Sequence, residues 1–195
     1  MNTIKAKRLR NLNELGLVSK DKPGWYQWWA NDEALKILLR DQFSKLYPLL
    51  TPGSGALDGF MYIYVGVAIK ESIQKRLNWH VNQAHTFSCI KCGTLSTLRQ
   101  SISSLAGNSQ GDEAATNEVI DMLMVAYFPV DLPIHTLEAK MNIEAVEREE
   151  MARHVLPLNI QNNHQSVLLT FKNMLKAARA ASKQRYFQIQ QEVSA

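Results

Sequence analysis

The stretch Phe60 to Ala68, FMYIYVGVA, is apolar or aromatic in both of its alternating sets. Successive side chains of a strand point to opposite faces, so Phe60, Tyr62 and Tyr64 are expected on one face and Met61, Ile63, Val65 and Val67 on the other. Both faces then need covering, which predicts a central strand with other layers on either side. Directly afterwards the period changes. Ile69, Ile73, Leu77 and Val81 recur at helical spacing through IKESIQKRLNWHVNQA. Arg76 and His80 lie one turn apart beside that stripe, so both side chains reach the same place.

Turn-forming clusters at KDKPG, TPGSG, AGNSQGDE and LPLNIQNN divide the rest of the chain. GWYQWWA, Gly24 to Ala30, is aromatic-rich and follows Pro23, as suits a strand. The segment from Asn31 to Leu50 then has helical spacing through Leu35, Leu38, Leu39 and Phe43, behind a cap at Asn31 or Asp32. LSTLRQSISSLAG predicts a helix through Leu95, Leu98, Ile102 and Leu105, stopped by Gly107. VIDMLMVAYFPV reads as a third strand ended by Pro129, with a helix as the alternative because Met and Leu discriminate poorly. NIEAVEREEMARHVLPLN predicts a helix through Ile143, Val146, Met151 and Val155 that ends before Pro157. A last helix runs from about Val167 to Phe187, with Leu168, Phe171, Leu175 and Ala178 on one side. The expected fold is α/β (α+β), a small three-stranded, mainly antiparallel sheet flanked by helices. Its parts are a basic N-terminal segment (1–23), a central domain (24–163) with a helical insertion (31–59), and a basic amphipathic helix (164–195) packed on the domain.

With 195 residues, 46% of them apolar and 21% charged, the chain suffices for one sizeable core. No stretch approaches the ~20 apolar residues of a membrane span, and MNTIKAKRLRNLNE has no following apolar signal core. A soluble cytoplasmic protein without a membrane partner is expected. Cys89 and Cys92, in SCIKCG, are too few for a secreted disulfide framework and are expected as thiols. The net charge of +4 is unevenly placed. Lys5, Lys7, Arg8 and Arg10 precede the first acid, and TFKNMLKAARAASKQRYFQ carries five basic residues and no acid.

Five of these elements, in order, resemble the GIY-YIG nuclease superfamily. GWY at Gly24 to Tyr26 is similar to its first motif and YVG at Tyr64 to Gly66 to its second. IQKRLNWH resembles the helix whose arginine, here Arg76, faces the active site, with His80 one turn beyond as in some restriction-type members. Glu147 and Asn159, twelve residues apart in VEREEMARHVLPLN, resemble the closing glutamate-to-asparagine segment. The resemblance spans roughly Gly24 to Asn159, with about thirty residues inserted between the first two motifs and Val67 where the family usually has a lysine.

The resemblance implies a metal-dependent endonuclease acting on DNA, and phosphodiester hydrolysis has a use for each residue type. Glu147 is the candidate ligand for Mg²⁺ (or Mn²⁺), a hard cation that accepts oxygen ligands and keeps several waters. Glu144, Glu149 and Glu150 are its close competitors. Arg76, always charged and planar, suits a phosphate clamp. Tyr26 and Tyr64 are candidates to position or deprotonate the water, His80 to relay a proton or hold phosphate. Asn159 is expected to brace the site through its amide. The setting expected is restriction or another defence role, with a homodimer on double-stranded DNA.

Lys172, Lys176, Arg179 and Lys183 follow 4, 3, 4 spacing, a stripe expected opposite the apolar side of the last helix and suited to tracking DNA phosphates. Arg99 is a further candidate for backbone or groove contacts. Glu118 reads as structural. Two other readings stand beside this one. A catalytically inactive nucleic-acid-binding protein on the same scaffold is suggested by Val67 and Trp25. A zinc-stabilised adaptor would use Cys89 and Cys92 with His80 and His85 nearby.

Overall fold

The structure, a computed structural model, describes residues 2–107 and 109–194. Four strands, β1 (Asn2–Lys5), β2 (Gly24–Ala30), β3 (Met61–Ala68) and β4 (Leu123–Pro129), form one sheet in the order β1-β4-β2-β3. Every pairing is antiparallel. Three strands were expected. The fourth, β1, comes from the basic N-terminal segment and pairs Asn2 with Tyr127 through Lys5 with Met124. A four-residue strand whose single buried residue is Ile4 has no alternation long enough to read, and its partner lies far along the chain.

The order also corrects the placing of β3, which is an edge strand rather than a central one. Its apolar character on both faces is real, because α5 (Ile73–Asn82) packs on one side and α9 (Leu137–Arg153) on the other. Strand order leaves no trace in alternation. The outer edge of β3 is closed by loop groups instead. Tyr62 N–H donates to the Thr51 carbonyl at 3.0 Å, and the Ile63 carbonyl accepts from Leu158 N–H at 3.2 Å. Asn159 completes the closure. Its Oδ1 accepts from Val65 N–H at 2.9 Å and its Nδ2 donates to the Val65 carbonyl at 2.8 Å, so a side-chain amide stands in for one residue of a neighbouring strand.

A bulge makes the second correction to β3. Trp28 pairs with Tyr64 but Trp29 pairs with Tyr62, so Ile63 is an extra residue and the two tyrosines face opposite sides of the sheet. Tyr26, Trp28 and Tyr64 share the face towards α5, in the main core with Ile73, Leu77 and Val81. Trp29 and Tyr62 stack at 4.7 Å on the other face, in a second core with Met151 and Leu156 at the end of α9.

Helix boundaries follow their caps. Side chains of Asn31, Ser72, Ser96 and Thr136 accept backbone N–H groups at the starts of α3 (Asp32–Leu39), α5, α7 (Thr97–Ala106) and α9. Ser72 thus starts α5 four residues later than the Ile69 expected from periodicity. The long helix expected after Asn31 breaks at Arg40, where φ is +49°, and resumes as the short α4 (Phe43–Leu46). Residues 119–121, expected in the third strand, close α8 (Glu113–Asp121) instead. The segment around Cys89 and Cys92 is the short helix α6 (Phe87–Cys92), and the last helix, α10, spans Leu169–Ser194. The N-terminal turns α1 (Ala6–Leu9) and α2 (Leu12–Leu15) lead from β1 towards β2.

Candidate active site

Tyr26, in the middle of β2, lies opposite Gly66 of β3. A Cβ at Gly66 would stand 2.5 Å from the Tyr26 hydroxyl and ring carbons, so only glycine leaves room for the ring to cross the neighbouring strand. The glycine of YVG therefore serves the tyrosine of GWY. Having crossed, the Tyr26 hydroxyl hydrogen-bonds to His80 Nε2 at 2.6 Å. His80 is 2% exposed, and its ring packs edge-on against Tyr26, Trp28 and Tyr64. Its Nδ1 is buried without a hydrogen-bond partner among the described residues. Burial, with Arg76 and Arg99 adding to it, lowers His80 to about 3, so the imidazole is neutral at ordinary pH.

The phenols shift the other way. Burial raises Tyr26 well above the ordinary range, with Tyr64 adding to the rise and Arg76 opposing it. Burial also pushes Tyr64 up to about 12. Glu147 contributes in the same direction, against Arg76 and Arg179. Both are neutral hydroxyls near pH 7. Arg76 projects from α5 with Trp79 beneath its guanidinium, 4.8 Å from the ring centroid. Its Nε faces Glu71 Oε1 at 2.9 Å but off the N–H direction, an ion pair rather than an aligned hydrogen bond.

The glutamates of α9 separate by what they touch. Glu150 accepts from Tyr62 Oη at 2.7 Å and from Gln27 Nε2 at 2.8 Å, which fastens α9 to the far face of the sheet. Glu149 pairs with Arg153 and Glu144 with Lys140. Glu147 alone of these has no hydrogen bond or salt bridge among the described residues. It lines an open groove of ≈ 650 Å³ with Glu144, Arg148, Met151 and His164. Burial raises its carboxyl above the usual range, Glu144 reinforces this, and Arg148 opposes it. A half-buried carboxylate without a hydrogen-bond or salt-bridge partner among the described residues, lining an open groove, fits one oxygen ligand of a hard cation that keeps its waters. No cluster of three or more His, Cys, Asp or Glu able to hold a metal occurs among the described residues, so such an ion would rest on Glu147, water and substrate oxygens.

The structure thus brings Tyr26, Tyr64 and His80 into ring contact, with Arg76 and Glu147 near enough for their charges to act on both phenols. Asn159 braces β3 as described. Arg99 is a correction. It is fully buried, not on a surface that DNA reaches. Its Nη1 donates to the carbonyls of His80 and Val81 at the end of α5, its Nε to His85 Nε2 at 2.9 Å, and its Nη2 to Asn117. The serine-rich sequence around it looked solvent-facing because small polar residues were not recognised as room for a buried guanidinium.

The basic stripe of α10 is corrected in part. One residue along a helix turns the side chain by about 100°. Lys172, Lys176, Arg179 and Lys183 therefore flank the buried Phe171, Leu175 and Ser182 rather than oppose them. Three of the four bond back to the domain, Lys172 to the Asn163 carbonyl, Arg179 to Gln100 and Lys183 to the Lys91 carbonyl. Lys176 remains exposed. The field of Arg179 at Tyr64 was not foreseen, and no local spacing signals it. Cys89 and Cys92 are free thiols. The histidines near them are engaged elsewhere, His80 with Tyr26 and His85 with Arg99 and the Gln110 carbonyl.

The small antiparallel sheet thus lies between helical layers, with Tyr26, Tyr64 and His80 towards α5 and the Glu147 carboxylate on α9. Residues 24–181 match the family model described as the GIY-YIG catalytic domain, and the chain belongs to that family. Comparison with curated proteins and with solved structures gives no match. No helix among the described residues is long and apolar enough to cross a membrane.

Proposed function

We propose that this protein is a Mg²⁺- or Mn²⁺-dependent endonuclease that hydrolyses phosphodiester bonds in double-stranded DNA. The observation that carries the reading is the 2.6 Å hydrogen bond between the Tyr26 hydroxyl and a neutral, buried His80, made beside Arg76 and the unpartnered Glu147.

A phenol held well above its ordinary pKa is a poor base near neutrality, and so is an imidazole lowered to about 3, so Tyr26 and His80 position the attacking water rather than store its proton. The Tyr26 oxygen, fixed by its hydrogen bond to His80, accepts a hydrogen bond from that water, whose proton leaves to solvent as its oxygen adds to phosphorus. Arg76 supplies donors to the phosphate oxygens as negative charge develops on them. Tyr64, still protonated, donates a hydrogen bond to the same group. Glu147 holds the cation, which when bound polarises the phosphate and steadies the departing oxygen. Glu71 holds the Arg76 guanidinium through their ion pair. The cytoplasmic, defence-type setting belongs to this proposal, as does a homodimer placing one site on each strand.

Supercoiled plasmid DNA with Mg²⁺, with EDTA, and with Glu147→Gln and Arg76→Ala tests it. Wild type should nick or linearise the plasmid only with the cation, and both variants should lose at least about a hundredfold in rate. Binding by all three proteins with no cutting by any would establish instead a nucleic-acid-binding protein on the same scaffold.

A further inference from the structure

Beyond the catalytic face, α6 and the later turns of α10 build a second surface. Phe87 is 49% exposed, and its ring meets Phe187 edge-on at 5.7 Å. Phe87, Lys91, Lys183, Phe187, Gln190 and Gln191 line an open groove of ≈ 640 Å³. Beneath it the buried Ile90, Leu95 and Tyr186 form a small core of their own, and Lys183 Nζ donates to the Lys91 carbonyl at 3.0 Å, tying the two helices together. The Lys91 ammonium stands 5.8 Å from the Phe87 ring centroid, the outer reach of a cation–π contact, so the ring keeps a face for a flat partner.

We propose that this groove is a second nucleic-acid contact, in which Phe87, held edge-on against Phe187, stacks an unpaired base and Lys91 and Lys183 take the phosphates beside it. Aromatic rings interleaved with cations, with no acid in the lining, suit a strand of stacked bases on a charged backbone. They suit a second copy of this chain poorly, since the two lysines would face their own images across the contact. Its position adds to this. Arg179, Lys183 and Phe187 follow at four-residue spacing along one face of α10. Arg179 acts on Tyr64 at the candidate active site. At 1.5 Å per residue the groove lies about 12 Å further along the helix, roughly three to four base-pair steps of DNA. A strand leaving the active site along α10 reaches the groove where a frayed or unpaired nucleotide is free to turn into it. The inference rests on nucleic acid being the substrate but not on cleavage.

Its test is oligonucleotide binding by the full chain in EDTA, comparing a blunt duplex with one carrying a four-nucleotide single-stranded tail. Wild type should prefer the tailed duplex, and Phe87→Ala should lose roughly tenfold on it while leaving the blunt duplex unchanged. Phe87→Trp should restore the preference, and Lys91→Gln should reduce the salt slope on the tail by about 0.7. The half-exposed ring makes misfolding of Phe87→Ala avoidable as an explanation, and the tryptophan variant and Lys91→Gln decide if its melting temperature falls. Equal binding of both duplexes by wild type, or an unchanged preference in Phe87→Ala and Lys91→Gln, overturns the proposal even if the protein cuts DNA. A preference lost in these variants of a protein that never cuts upholds it while the nuclease reading falls. Concentration-dependent self-association that Phe87→Ala abolishes, with no effect on DNA binding, assigns the groove to a second copy and also overturns it.

Discussion

The Tyr26 hydroxyl and His80 Nε2 lie 2.6 Å apart, and the missing side chain of Gly66 is what allows them to meet. Two motifs distant in sequence are thus one packing unit, and the glycine belongs to the site as much as the groups that do chemistry.

Gly66→Ala should therefore disable the protein through Tyr26. A methyl group 2.5 Å from ring carbons forces the ring or the strand to move, which costs about 1–3 kcal/mol of stability. Chemical denaturation should show that loss, and plasmid cleavage should fall at least tenfold. A variant as stable and as active as wild type would mean the ring is not held there.

His80 makes stability depend on acid. In the unfolded chain its pKa is about 6.5, whereas in the fold burial and the nearby arginines lower it to about 3. Between those values the unfolded chain takes up a proton that the folded one refuses. The contribution is intact above pH 6.5 and is lost as pH falls towards 3, by roughly 1.4 kcal/mol per pH unit. His85 is lowered too, chiefly by burial, and acts in the same sense. Denaturation midpoints from pH 7 to 4 should fall more steeply for wild type than for His80→Gln, and parallel curves would count against a buried neutral imidazole.

Arg99 should behave as part of the framework. Arg99→Leu leaves the carbonyls of His80 and Val81 and the ring of His85 without their donor, a loss on the order of 3 kcal/mol. The salt dependence of DNA binding should not change, because no phosphate reaches the residue. A salt slope lowered by about 0.9 would restore it to the DNA surface.

Two glutamates one turn apart on α9 should fail differently. Glu150→Gln weakens the link to Tyr62 and Gln27 and should cost about 1–2 kcal/mol while leaving most of the cleavage rate. Glu147→Gln removes no protein contact and should leave the melting temperature near wild type while abolishing metal-dependent cutting. The reverse pattern would make Glu150 the metal ligand.

What the sequence revealed is what short-range periodicity encodes. Asn159 was singled out by the family resemblance alone, whereas β2, the apolar stripe of α5 and the Gly107 stop of α7 were legible in local spacing. Strand order was not, since a strand covered by helices on both faces has the same alternation at the edge as in the middle. The bulge at Ile63 was invisible for a related reason: the register shift falls between Trp28 and Trp29 on the neighbouring strand, and it splits Tyr62 from Tyr64 without altering either residue's own pattern. Arg99 and Arg179 were misread because a charged residue on a helix carries no mark of whether it faces water or a polar pocket formed by distant residues.

The closed outer edge of β3 has a bearing on how such a protein fares at high concentration. An open edge strand offers a template onto which foreign chains add one after another. Along β3 the amide of Tyr62, the carbonyl of Ile63 and both backbone groups of Val65 are already occupied, half of them by a single asparagine side chain. Aggregation by strand addition is blocked along that stretch, and the asparagine that caps both backbone groups of Val65 helps keep the protein from polymerising.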